Sequence, residues 1–163
     1  MIAVLHWGEA RLTRDADLTI FTGIGREQYF IEELLLNFKS RIEHALAFAL
    51  KHRVLLPHAN NGIPVDLSLG ALPFEESAVR EAAMQEIAPG VKLKLCSPAA
   101  LVVYKVFAGR AQDWLDVEGI VVRRGREIDW ARVRKELDQF LQLKEDSESL
   151  PRLETLLKIH SGS

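Results

Sequence analysis

The sequence is poor in cysteine. Cys96 is the only one in 163 residues. A single thiol can form neither an internal disulfide nor a multi-cysteine zinc site, and it suits a reducing cytosol. Long hydrophobic runs are missing as well: no stretch reaches the ~20 apolar residues that a membrane helix needs. Met1 to Trp7 is apolar, but no basic region precedes it and Gly8-Glu9 ends it, so it does not read as a signal peptide. Neither sign of charge dominates. The 21 Lys and Arg residues nearly balance 23 Asp and Glu, for a formal charge of -2. Such a balance argues against a dedicated nucleic-acid binder, though it leaves room for a local basic patch. No G-x-x-x-x-G-K-[ST] or G-x-S-x-G motif is present, and His6, His44, His52, His58 and His160 form no H-x-x-x-H pair. The expected location is the cytoplasm, without a membrane partner.

What is there is globular. Hydrophobic residues make up 48% and charged residues 27%, enough apolar side chains to bury a core. The length suits one domain with a small helical appendage. Met1 to His6 reads as the end of a helix. Asp15 to Phe21 alternates, with Ala16, Leu18 and Ile20 against Asp15, Asp17 and Thr19, which is strand period. Glu27 to Phe38 carries apolar residues at helical spacing, and Ala45 to Lys51 predicts a second helix. Arg53–His58 and Ile63–Leu69 read as strands joined by Asn60-Asn61-Gly62, a hairpin signal. Phe74 to Ala83 predicts a short helix, and Ala88-Pro89-Gly90 turns the chain between two further strands. Ser97-Pro98 opens a helix that Gly109 closes. Helices near Asp113–Arg123, Asp129–Leu143 and Ser149–Ile159 follow, with Asp129 and Ser149 as caps. The fold class is therefore α+β, a mixed β-sheet flanked by helices with a helical C-terminal region. The expected division is an α+β core over residues 1–96 and a helical region over 97–163.

Asp15-Ala16-Asp17 is the feature that carries chemistry. Carboxylates two apart on a strand project from one face. Their repulsion is relieved when a cation sits between them, and Mg²⁺ is a hard ion that takes such oxygens together with substrate phosphates. A third acid, Asp66, lies in Ile63-Pro64-Val65-Asp66-Leu67-Ser68-Leu69, opposite four apolar residues. If the two strands are neighbours, all three acids can converge on the non-core face. The alternative is a solvated sheet face with no ligand. Lys105 sits in Leu101-Val102-Val103-Tyr104-Lys105-Val106-Phe107-Ala108, a helix apolar almost all round and therefore buried. Its ammonium must snorkel, pair with an acid such as Asp113 or Asp116 one loop later, or meet an anion such as a triphosphate near the acids. Arg110 at the helix junction and the run Arg11-Leu12-Thr13-Arg14 suit a substrate with several phosphates, or simply neutralise the acids. Gly23-Ile24-Gly25 resembles the start of a dinucleotide fingerprint, but its third glycine position is Gln28 and no βαβ unit is expected after it. Cys96 ends an apolar strand and reads as a small core residue.

Three segments, in order, resemble the nucleotidyltransferases of the DNA polymerase β superfamily, closest to the AbiEii-type, toxin-like branch. They are Trp7-Gly8-Glu9 with Arg11-Leu12-Thr13-Arg14-Asp15-Ala16-Asp17-Leu18-Thr19; Ile63-Pro64-Val65-Asp66-Leu67; and Leu95-Cys96-Ser97-Pro98 through Lys105, Arg110, Asp113 and Asp116. The likeness spans residue 1 to about residue 125. It implies a nucleotidyltransferase-like sheet and an enzyme that moves a nucleotide monophosphate from an NTP to an acceptor hydroxyl in RNA, protein or a small molecule. By family pattern Asp15, Asp17 and Asp66 are catalytic and hold Mg²⁺ or Mn²⁺, while Arg11, Thr13, Lys105 and Arg110 bind the nucleotide. The implied partners are an NTP, a tRNA or protein acceptor, and a cognate antitoxin or second copy at the N-terminal edge. The family's glycine pair normally precedes the segment matching Ile2-Ala3-Val4-Leu5, where Met1 now stands. Either the true start lies upstream of Met1 or the protein lacks that turn and its strand; in the second case Ala16, Leu18 and Ile20 are expected to be left partly open. A second class of function follows from the same departure: a degenerate relative that binds without turnover.

Overall fold

The structure is a computed structural model that describes residues 2–9 and 15–160. Two compact units emerge. The first contains the described residues 15–81, and the second contains 3–9 together with 82–160. The dividing line thus falls at Glu81, earlier in the chain than the expected boundary at residue 96.

The first unit is built on a three-stranded mixed sheet. β1 (Ala16–Phe21) leads through α2 (Glu27–Asn37) and α3 (Ala45–His52) to β2 (Val54–Leu55) and β3 (Val65–Gly70), and α4 (Pro73–Glu81) follows. The helix α1 (Ile2–Trp7) precedes them in the chain. The strand order is β1-β3-β2, with β1 parallel and β2 antiparallel to β3. The antiparallel pair is the hairpin expected across Asn60-Asn61-Gly62. Gly62 takes a φ of 82° and donates its N–H to Ala59 at 2.8 Å, a backbone region that favours glycine. The helices α2 and α3 after Gly23-Ile24-Gly25 lead to β2, which runs antiparallel to β1 and carries the chain back to the start of β3, so no βαβ unit follows the two glycines. Gly23 and Gly25 both sit at positive φ, 71° and 82°.

Strand alternation separates the two faces of this sheet. Val65, Leu67 and Leu69 pack with Ile31, Ala49 and Leu55 in one buried cluster, joined by Ala16, Ile20, Leu34, Leu35 and Leu46. Asp66 and Ser68, between them, face the other way. β1 is an edge of the sheet, and Leu18 there is 51% exposed although it shares the core-facing side with Ala16 and Ile20. Arg53 locks the carboxyl ends of the strands. Its Nε donates to Leu69 O at 2.9 Å, its Nη2 reaches Leu69 O and Gly23 O, and its Nη1 pairs with Glu27. The hydrogen bond from Arg53 holds the Glu27 carboxyl below its usual range.

The second unit is a hairpin followed by helices. β4 (Ala83–Ala88) and β5 (Val91–Leu95) pair antiparallel around Gly90. α5 (Pro98–Ala108), α6 (Ala111–Arg124), α7 (Trp130–Lys144) and α8 (Ser149–His160) follow. α5 is central and touches α6, α7 and α8. The caps explain the helix limits. Ser97 accepts a hydrogen bond from Ala100 N at 3.1 Å, Pro98 takes the first position, and Gly109 at φ 69° ends α5. Asp129 caps α7 through Arg132 N. α8 departs from expectation, because Ser149 is its first residue rather than its cap. Asp146 supplies the cap, accepting from the N–H groups of Glu148 and Ser149 at 3.1 and 3.0 Å. Those bonds, from Ser149 first, pull the Asp146 carboxyl down. No helix among the described residues is long and apolar enough to cross a membrane.

Candidate functional site

The parallel ladder of β1 and β3 pairs Asp17 with Asp66, flanked by the pairs Ala16–Val65 and Leu18–Leu67. Residues paired across a ladder point to the same face, on strands about 4.8 Å apart. Asp17 and Asp66 therefore stand side by side, opposite the Val65–Leu67–Leu69 core. The next pair on this face, Thr19 with Ser68, is also polar. Asp15 is exposed at a bend one residue before β1, so strand alternation fixes Asp17 and not Asp15. Ala16 anchors the start of the strand by donating to Pro64 O at 3.0 Å. Among the described residues, no three acidic, His or Cys side chains are gathered closely enough to hold a metal ion.

Asp66 has a partner that sequence reasoning missed. Nη2 of Arg41 pairs with its Oδ1 and also donates to Val65 O at 3.1 Å. Arg41 lies between α2 and α3. The bridge Ser40–Pro57 and the bond from Arg41 N to Leu56 O, 2.8 Å, bring it alongside the sheet. Nothing local in Lys39-Ser40-Arg41 marks this role, since the contact is tertiary and spans 25 residues.

Lys105 and Arg110 belong to the second unit. Lys105 is 2% exposed, and its Nζ lies 2.8 Å from Asp113 Oδ1 and 2.8 Å from Asp116 Oδ2. These are the internal partners named above as the alternative to a triphosphate. Arg110 is 74% exposed and pairs with Asp113 through Nε at 2.6 Å. Asp113 also accepts from the Arg110 backbone N–H at 3.3 Å, so it closes the first turn of α6 from the third position rather than from the cap. Burial raises the Asp113 carboxyl, but the bonds from Arg110 and Lys105 outweigh it and hold the group below its ordinary value. Arg11 and Thr13 lie outside the described residues. Burial pushes the Cys96 thiol up to about 11, so it stays protonated at neutral pH and is a poor nucleophile. Comparison of the chain with protein-family models and with curated proteins finds no match.

Proposed function

We propose that the protein is a metal-dependent nucleotidyltransferase that moves a nucleotide monophosphate from an NTP to an acceptor hydroxyl. One observation carries the reading: Asp17 and Asp66 are ladder partners on the polar face of a small mixed sheet, with Asp15 two residues upstream of Asp17. Carboxylate oxygens are the donors that Mg²⁺ and Mn²⁺ prefer. Asp15 and Asp17 would hold an ion together with the triphosphate, and Asp66 would complete the ligand set beside the acceptor hydroxyl. The bound ions would supply charge neutralisation at the attacking and leaving oxygens of an in-line displacement. The sheet contributes position, since the buried Val65, Leu67 and Leu69 fix the backbone from which Asp66 projects. Nucleotide-binding roles for Arg11 and Thr13, and an AbiEii-like toxin role acting on tRNA or protein, belong to this proposal.

Supplying the protein with α-phosphate-labelled NTPs, Mg²⁺ and total RNA or cellular protein tests it. The expected result is labelled acceptor and released pyrophosphate, both lost in Asp17→Asn. Absence of label from wild-type protein with every NTP overturns the reading.

A second reading is favoured by the Arg41–Asp66 ion pair, which neutralises one of the acids with an internal cation. In that case the protein keeps a nucleotidyltransferase-like sheet and binds a partner without turnover. Nucleotide binding that is insensitive to divalent ions would support it.

A further inference from the structure

The β4–β5 hairpin of the second unit is a two-stranded sheet with two outer edges. Alternate residues of each strand turn their backbone N–H and C=O groups away from the other strand. Among the described residues, these outer groups meet no hydrogen-bond partner. The two strands pack extensively on no described element except each other, and a lone hairpin is marginal in water. The two edges differ in their protection. β5 carries exposed Lys92 and Lys94, the usual guard of an edge strand. β4 has no Lys, Arg or Pro, and its Met84 is 61% exposed. Extended backbone left open in this way is a template for one more strand.

We propose that the outer edge of β4 pairs antiparallel with β4 of a second copy of this chain, giving a four-stranded sheet in the order β5-β4-β4-β5. Charge selects this edge and this occupant. Pairing β5 with its own copy sets lysine opposite lysine in every central register, either Lys92 against Lys94 or one of them against itself, and like charges directly opposite are destabilising. Pairing β4 with β5 of another copy leaves a free edge at each end and continues as a filament, whereas β4 with β4 closes on a two-fold axis. The register follows from the same reasoning. A two-fold axis perpendicular to the sheet pairs only residues of one face. Centring the pair on Glu86 would oppose two carboxylates. Centring it on Gln85 uses the strand from Ala83 to Ile87, places Gln85 opposite its own equivalent, and sets Glu86 beside Met84 of the second copy. Within each hairpin Lys92 already lies opposite Glu86, and Lys94 opposite Met84. The polar face then reads Lys92, Glu86, Met84, Lys94 across the four strands, with no like charges adjacent. This surface lies in the second unit and does not depend on the acids of the first.

Analytical ultracentrifugation of the full chain over a wide concentration range tests the proposal. Wild-type protein should associate to a dimer. Gln85→Lys and Gln85→Glu each set like charges opposite one another and should weaken that dimer by roughly fivefold or more. An equimolar mixture of the two variants should associate at least as tightly as wild type, because the opposed charges then attract. Circular dichroism checks that each variant keeps its fold. Wild-type protein that stays monomeric at every concentration overturns the proposal and leaves the edge to an extended segment of another protein. A dimer that neither variant weakens also overturns it, since the contact then lies elsewhere, and so does weakening that the mixture fails to reverse. Should the Gln85 variants not fold, amide hydrogen exchange of wild-type protein decides. The outward amides of β4 should exchange more slowly as concentration rises, and rates that do not change with concentration overturn the proposal.

Discussion

Asp17 and Asp66 face each other across the β1–β3 ladder, and the residue that follows each of them, Leu18 and Leu67, turns to the opposite side. A one-residue slip of β3 would bury Asp66 in the core and expose Leu67. The register is therefore held by the same apolar residues that define the core. Leu67→Ala removes buried side-chain volume at the middle of this ladder and should cost about 2–5 kcal/mol. Urea unfolding measures it, and a loss under 1 kcal/mol would show that β3 is not anchored through this cluster.

Lys105 tests the second unit. Its ammonium is enclosed with Asp113 and Asp116, each at 2.8 Å. Lys105→Ala leaves two buried carboxylates without their shared cation, a loss of about 3–5 kcal/mol for a broken buried pair. Lys105→Met combined with Asp113→Asn and Asp116→Asn should recover much of it, because the uncompensated charges are gone. If Lys105→Ala unfolds at the wild-type urea concentration, the ion pair is not holding α5 to α6.

The pH dependence follows from Asp113. Its folded carboxyl titrates below the unfolded value of about 3.9. Its contribution is then fully present above about pH 4 and is lost as pH falls through the folded value. Glu27, Asp146 and Glu154 are depressed in the same direction. Urea midpoints should therefore hold between pH 7 and 5 and fall between pH 4 and 2, with a smaller fall in Asp113→Asn. Identical acid profiles for the two proteins would remove Asp113 from the account.

Helix ends give a further check on local reasoning. Asp146→Ala deletes the acceptor of the Glu148 and Ser149 N–H groups at the start of α8 and should cost about 0.5–2 kcal/mol. Ser149→Ala keeps the Asp146 carboxylate bonds to the backbone and should cost less. The reverse order in thermal melting would restore Ser149 as the functional cap.

How far the sequence could be read depended on the range of the signal. Ser97-Pro98, Gly109, Asp129 and the Asn60-Asn61-Gly62 turn each act within a few residues, and each stands where local chemistry puts it. The alternation that set Asp66 against Val65 and Leu67 also reads directly from the chain. What the residues alone left conditional was whether β1 and β3 are neighbours, because the two strands lie more than forty positions apart and β2 intervenes. Arg41 was invisible because its bond to Asp66 joins a loop to a strand, with no spacing rule to announce it. Asp146 was overlooked because Ser149, the nearer cap-type residue, competes with it on sequence alone. For Lys105 the chain indicated burial and a partner, and only the packing of α5 on α6 could name Asp113 and Asp116.

The most direct test of the central claim is calorimetric titration of the protein with NTP in the presence and absence of Mg²⁺, for wild type, Asp17→Asn and Asp66→Asn. The account predicts nucleotide binding that requires the ion in wild-type protein and is lost or greatly weakened in both variants. Binding of equal strength in all three proteins, with or without Mg²⁺, would contradict it.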